Sequence, residues 1–578
     1  MTIFAGIFSR GSNHDIPDEL INELRLAISR HPEDKDALIE YKNRHVYIGK
    51  IDIGALGEPG HFINSQLAGF IAGNPVLPKT SEHTYTRLDS LKLIAENIRN
   101  EKIDLLQKCR GTYCGVIYEP ASRKLFLITD KIGVRPIYYW VHADFIIFAS
   151  ALRILEVLRC YQRQIDLKGI SEIACFGYPL SDRTPYKDIF SLYAGEVACF
   201  EADKIERKKY WDWNNLSSTK IENTVFAKQL HEIFIESIKI RLKDQKTVAA
   251  FLSGGLDSRA IVAALRELNI NVITANFAPQ GSQDQVFGQL IADALGTHHS
   301  HLPKGKTSND DSYHKHSTKN WINSEAFRSE NLARPKIIWS GDGGSMGLGH
   351  IYQNAEIVNL AREKDLDKAK KIFFSYNRWG IFPKLLKQPI ESVVRKLLAE
   401  GVQSELNSIQ PEDPGRLFYL FLLLNDQRRH MFVHFEDIDL DRIELELPFF
   451  DADLITAIVQ QPIDRFLRHA FYLDWLAQFD PKVLLVPWQA YPGHVPCPLP
   501  LPENLEYQWE STSEDIKQTK QLALQFAKIF CQNSEFMSGY VNKIYFYLWL
   551  LLLKWGNSNH SYLVRFPSIL YRYWIKAQ

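Results

Sequence analysis

Residues 247–277 read TVAAFLSGGLDSRAIVAALRELNINVITANF. An apolar, β-branched run is followed by a glycine pair, then by apolar residues at helical spacing, then by a second β-rich run. That order predicts strand, loop, helix, strand: a βαβ unit of about 30 residues, and with it a parallel sheet. The loop is Ser253-Gly254-Gly255-Leu256-Asp257-Ser258, and the helix is expected to begin near Leu256. Two glycines allow backbone angles closed to other residues and a close approach to a ligand. The exposed N–H groups at the positive end of the helix then form an anion nest. Ser253 and Ser258 add hydroxyl donors. Asp257 would repel a bare phosphate, so its place here implies Mg²⁺ between its carboxylate and phosphate oxygens. No lysine follows the glycines, which separates this loop from that of kinases and GTPases. The plainer alternative is a tight strand-to-helix turn that binds nothing.

Outward from this unit, residues 1–210 are dominated by short β-rich runs such as IFAGIF, HVYIGKIDIG, TYCGVIYEP, KLFLITD, PIYYWV and FIIFAS, with one helical stretch, LDSLKLIAENIRNEKIDLLQKC. The polar, turn-rich segment at about 210–224 is the expected domain linker. A long helical pattern, VFAKQLHEIFIESIKIRLKD, leads into the βαβ unit. SQDQVFGQLIADALG reads as a further helix and IIWSGDGGSMG as a strand entering a second glycine loop; the rest is mostly helical. The length of 578 residues suggests two to four domains. With 45% hydrophobic and 24% charged residues the chain can bury an ordinary core. Lys+Arg and Asp+Glu both number 68, so no global charge draws it to nucleic acid. Seven scattered cysteines fit reduced thiols in a cytoplasm, and the N-terminus does not read as a signal peptide. The run IYFYLWLLLL, Ile544 to Leu553, is about half the ~20 residues of a membrane span. It reads as a buried or interface helix, with a membrane-surface contact as the other reading.

SGGLDS closely resembles the pyrophosphate loop of the N-type ATP pyrophosphatases, and its flanks resemble the asparagine-synthetase superfamily. The resemblance runs over about residues 1–500. It implies an α+β N-terminal sandwich of the Ntn-hydrolase kind (residues 1–210), then an α/β ATP-pyrophosphatase domain with a parallel sheet and a helical C-terminal part (residues 225–578). It implies ATP and Mg²⁺ as cofactors, held by Ser253, Gly254, Gly255, Leu256, Asp257 and Ser258, with Ala275 and Phe277 at the end of the second strand assigned to the nucleotide. Ser340-Gly341-Asp342-Gly343-Gly344-Ser345 resembles the family's second motif, in which Gly341 and Gly343 match. The family's metal-binding Asp falls on Ser345, so either Asp342 joins Asp257 as a metal ligand or water completes the shell. Glu444-Leu445-Glu446-Leu447-Pro448-Phe449-Phe450-Asp451 resembles a segment whose Glu serves the nucleophile in lactam-forming members. Glu444 and Asp342 are therefore expected as a polar pair near the incoming amine. The family's phosphate-stabilising Lys has no counterpart within residues 487–498, where His494 is the candidate substitute.

The front part matches at Asp130 to Tyr139, Phe148-Ala149-Ser150, Phe176-Gly177-Tyr178 and Tyr210-Trp211. Glutamine-dependent members place Cys directly after the initiator Met, whereas this chain carries Thr2. A retained shell without glutaminase activity is expected. The amine must then come from the substrate or from solution, as in β-lactam and lasso-peptide macrolactam synthetases; length and motif order lean to the latter. That resemblance implies a precursor peptide as substrate, with a leader peptidase and a leader-recognition protein as partners. Two competitors stand beside it: an intermolecular amide synthetase acting on a small acid, and a non-catalytic scaffold with a decayed ATP site.

Overall fold

The computed structural model describes all residues except 12–14, 80–83, 143, 160–161, 203, 303–312, 329–332, 508–512 and 556–559. In the front part, twelve strands form two antiparallel sheets. They are β1 Thr2–Ser9, β2 Leu38–Lys42, β3 Val46–Asp52, β4 His61–Ile63, β5 Ala68–Gly73, β6 Tyr113–Glu119, β7 Lys124–Thr129, β8 Tyr138–His142, β9 Phe145–Ala149, β10 Ile189–Ser191, β11 Glu196–Phe200 and β12 Ile205–Lys209. The sheet orders are β10-β8-β9-β1-β3-β2 and β12-β11-β7-β6-β5-β4. Alternation along β1 explains the layering. Phe4 and Phe8 enter a core between the sheets with Phe70, Val116 and Leu127. Ile3 and Ile7 point the other way, beneath Leu20, Ile21 and Leu24 of the helix Asp18–Ala27. On the outer face of the second sheet, Leu91, Ile94 and Ile98 of the helix Arg87–Arg99 cover Ile71, Ile117 and Ile128. The result is the helix–sheet–sheet–helix sandwich expected from the sequence. The helical stretch expected over 88–109 breaks at Glu101, which turns left-handed (φ 57°), before a short helix at Asp104–Lys108.

The segment 210–224 packs against the front domain: Trp213 is buried and its indole N–H donates to the Lys131 carbonyl at 2.7 Å. The helix Asn223–Leu242 follows. Five strands then build one parallel sheet: β13 Thr247–Phe251, β14 Asn271–Asn276, β15 His298–His301, β16 Ile337–Trp339 and β17 Glu444–Glu446, in the order β15-β14-β13-β16-β17. The middles of the central strands are largely apolar and buried, Val248 to Ala250 and Val272 to Ile273, as in a sheet covered on both faces. Beyond the sheet, the helices Ser513–Gln532, Ser534–Gly539, Lys543–Trp555 and Arg565–Ala577 gather around Phe530, Phe536, Phe546, Trp549 and Trp574.

Buried charge ties the two halves. The carboxylate of Asp451 caps the helix Ala452–Val459 and pairs with Arg110 of the front part and Arg241 of the rear (2.9 Å each). The six described cysteines are free; Cys160 lies outside the described residues. Among the described residues, no helix is long and apolar enough to cross a membrane.

Candidate active site

All five strands of the rear sheet run the same way, so the loops leaving their C-terminal ends share one edge, where ligands of such sheets bind. The first is the loop after β13. Ser258 Oγ accepts from Ser253 N and meets Ser253 Oγ, both at 2.9 Å, folding the loop back on the helix Asp257–Glu267. Gly254 N donates to Asp284 Oδ1 at 2.7 Å, and Leu252 N donates to the Ala275 carbonyl at 2.9 Å. Asp284 lies in the first turn of the helix Gln283–Leu295, whose start is capped by Ser282 Oγ accepting from Gln285 N.

The second loop, after β16, packs onto the first through its glycines. A Cβ on Gly341 would come within 2.6 Å of Ser258 N, and one on Gly344 within 2.6 Å of the Asp257 carboxylate. Gly343 is left-handed (φ 92°) against the ring of Phe450. Gly341 therefore lets the two loop backbones approach, and Gly343 and Gly344 make room for the Phe450 ring and the Asp257 carboxylate.

Between the loops is a cleft of about 160 Å³ lined by Ser253, Gly255, Leu256, Asp257, Asp284, Ser345, His469 and the wall from Trp488 to Tyr491. That wall is fastened from behind. Arg259 is fully buried and donates to the carbonyls of Val483, Val486 and Pro487, while Gln489 N donates to the Gly254 carbonyl.

Asp257 is held by hydroxyl donors from Ser345 and Tyr472, each at 2.5 Å. Burial nevertheless pushes its carboxyl up to about 6. Burial likewise raises Asp284. The opposite wall supplies no compensating cation. His494 Nε2 faces the Ile351 carbonyl at 3.3 Å, and its Nδ1 faces His469 Nδ1 at 2.9 Å. A carbonyl only accepts, so the proton of His494 sits on Nε2 and His469 donates from Nδ1. Burial lowers both histidines, His469 to about 3, so both are neutral at physiological pH. The charged groups on the described lining are thus two carboxylates. That donor set suits Mg²⁺, which is held by one or two carboxylates together with phosphate oxygens and water. Among the described residues there is no cluster of three or more His, Cys, Asp or Glu side chains placed to hold a metal ion.

Several sequence expectations are redistributed. Ser253, Gly255, Leu256 and Asp257 line the cleft; Gly254 and Ser258 shape it from behind. Ala275 is buried and supports the loop through its carbonyl, and Phe277 packs on Phe251 and Trp321, so neither lines the described cleft. Asp342 is beside the cleft rather than in it, accepting from Ser340 Oγ at 2.6 Å and facing His430 at 3.6 Å. His430 holds the Asp342 carboxyl far below its usual range despite burial. The second carboxylate that shares the cleft with Asp257 is Asp284, which sequence reasoning missed. His494 acts behind His469, not on the cleft. Ser345, which replaces a family carboxylate, donates to Asp257 where an Asp would have repelled it.

Glu444 is corrected outright. It pairs with Ile337 at the start of β17, the end of the parallel sheet opposite the loops. Its side chain is fully buried against the front domain, accepting from Thr2 Oγ1 at 2.7 Å and pairing with Arg135. Although burial opposes it, Arg135 holds this carboxyl below the ordinary range. Thr2 Oγ1 also accepts from Gly73 N at 3.0 Å. Around it, Lys50 and Arg87, both buried, share Asp52 at 2.8 and 2.9 Å.

Comparison with known proteins agrees with this geometry. A glutamine amidotransferase domain model matches residues 79–211, and an asparagine synthase model matches residues 229–315, which include the whole first loop. Both matches, one in each half of the chain, are to domains found in the asparagine-synthetase superfamily, which the chain resembles. It is 24% identical to a putative glutamine-hydrolyzing asparagine synthetase of Methanocaldococcus jannaschii over 382 residues, 58% of this chain and 73% of that one. It is 22% identical to a glutamine-hydrolyzing asparagine synthetase of Bacillus subtilis over 310 residues, 51% of this chain and 48% of that one. This similarity to asparagine synthetases indicates an ATP-dependent carbon–nitrogen ligase.

Proposed function

We propose that the chain is a macrolactam synthetase that closes a ring within a precursor peptide. The Asp or Glu side chain of the peptide attacks the α-phosphorus of ATP, the α–β bridging bond breaks, and pyrophosphate leaves as the acyl-adenylate forms. The peptide's own α-amine then attacks the acyl carbon, gives up a proton, and AMP departs. The Ser253 hydroxyl and the N–H groups of Leu256 and Asp257, where the helix Asp257–Glu267 begins on the cleft, are read as the grip on the β- and γ-phosphates. Asp257 and Asp284 would hold Mg²⁺, whose charge would offset that building on the leaving pyrophosphate. His430, facing Asp342 on the rim made by the second loop, is the proposed acceptor of the amine's proton, with Asp342 orienting it, replacing the expected Glu444–Asp342 pair. The wall at Trp488–Tyr491, fastened to Arg259 and Gly254, keeps water from the acyl-adenylate.

The observation that carries this reading is the front pocket. Thr2 occupies the position next to Met1, and its hydroxyl is committed to Glu444 and Gly73 amid the Lys50–Asp52–Arg87 cluster. A domain filled in this way supports a ligase fed no ammonia from glutamine, so the amine arrives with the substrate. Tethering amine and acid in one peptide gives a high effective molarity. A leader peptidase and a leader-recognition protein are the partners this chemistry calls for. The test is mass spectrometry of the protein with ATP, Mg²⁺ and candidate peptides. A product lighter by one water, formed with AMP, supports the proposal; AMP formation with only a small acid and ammonia sinks it. That outcome is the second reading, favoured by the modest cleft and by relatives named as asparagine synthetases.

A further inference from the structure

The helix Lys543–Trp555 reads KIYFYLWLLLLKW and contains no acidic residue. Its inner face, Phe546, Trp549 and Leu553, is buried in the C-terminal helical core. Its outer face is left bare: Ile544 is 79% exposed, Leu548 53%, Leu551 58% and Trp555 84%, and Tyr545, Tyr547 and Leu552 are about half exposed. Positions 544, 548, 551, 552 and 555 recur at helical spacing, so these side chains form one continuous apolar stripe. A patch of this kind marks a docking surface.

The chemistry of the stripe favours one occupant. A protein interface needs about one hydrogen bond per 100–200 Å² and a polar rim, yet between Lys543 and Lys554 the stripe offers only tyrosine hydroxyls. Lysines at both ends with Tyr and Trp at the margins are the arrangement of a helix lying in a lipid interface, where long basic side chains reach the headgroups. Charge agrees. Residues 513–578 hold eight Lys and Arg against three Asp and Glu, in a chain whose formal net charge is +0. At 13 residues the helix is about 20 Å long, too short to cross a bilayer but sufficient to lie on one.

We propose that the outer face of the helix Lys543–Trp555 docks the enzyme on an anionic phospholipid surface. The test is flotation of the full chain with vesicles of phosphatidylcholine alone and of equal parts phosphatidylcholine and phosphatidylglycerol. Wild-type protein is expected to float with the mixed vesicles and much less with phosphatidylcholine, and to be released by high salt. The triple variant Leu548→Glu, Leu551→Glu, Trp555→Glu alters exposed positions only. It is expected to lose binding by about tenfold or more, with unchanged ATP–pyrophosphate exchange and unchanged melting temperature. Wild-type protein remaining in solution with both vesicles overturns the proposal, as does binding that the triple variant retains. A concentration-dependent dimer that the same variant abolishes, with no flotation, assigns the stripe to a second copy instead.

Discussion

Two clusters of ionisable groups, one in the rear cleft and one around Thr2 in the front domain, treat charge in opposite ways. In the rear cleft two half-buried carboxylates, Asp257 and Asp284, share the lining with the neutral His469, and desolvation lifts both above their ordinary values. Around Thr2 each charge meets a buried opposite one: Lys50 and Arg87 share Asp52, and Arg135 and the Met1 amine share Glu444. A site kept for a ligand leaves its charges for the ligand to meet. Where the partners are supplied from within, the polar groups are part of the structure.

The sharpest way to break that contrast is Asp257→Ala. Removing the carboxylate that would hold Mg²⁺ beside the loop is expected to lower ATP–pyrophosphate exchange by about a thousandfold, measured with labelled pyrophosphate. Unchanged exchange would return the loop to a plain turn. The same group sets a pH dependence. Its free-enzyme value of about 6 means that Mg²⁺–ATP affinity should be full above that pH and fall as pH drops through it, because the protonated carboxyl must lose its proton to bind metal. A titration of nucleotide affinity from pH 8 to 5 reads this directly.

The next largest effect belongs to the front. Glu444→Ala strands Arg135 in the interior and should cost about 3–5 kcal/mol of stability, read by denaturant unfolding. A variant that keeps its stability but loses only amide formation would restore Glu444 to catalysis.

How much of this was legible beforehand follows from where the signals are local. The βαβ unit and the first loop are written in consecutive residues, and the structure reproduces them. Ser345 was flagged as a departure, but its partner Asp257 lies 88 positions away, so its role as a donor waited for the fold. Asp284 carried no motif of its own; only the return of its helix beside Gly254 brings it into the cleft. Glu444 misled because its neighbours Pro448 to Asp451 match a functional segment, while position along a parallel strand decides which end of the sheet a side chain serves. Thr2 was read correctly as a departure from Cys, yet nothing nearby in sequence announces Glu444 as its partner.

Two smaller tests sharpen the comparison. Ser345→Ala removes one of the donors that orient Asp257 and should reduce exchange by about tenfold, the equivalent of roughly 1.4 kcal/mol, with the melting temperature unchanged. Thr2→Ala should leave amide synthesis at the wild-type rate and lower stability by about 1 kcal/mol, since Gly73 N and Glu444 lose one shared partner. A large loss of synthesis in that variant would instead assign the front domain a catalytic part.

The most direct measurement is the identity of the nucleotide products when the enzyme turns over with its acid and amine. AMP and pyrophosphate in equal amounts are expected, one pair for each amide formed. ADP and orthophosphate would contradict adenylation, and with it the reading of the Ser253–Ser258 loop.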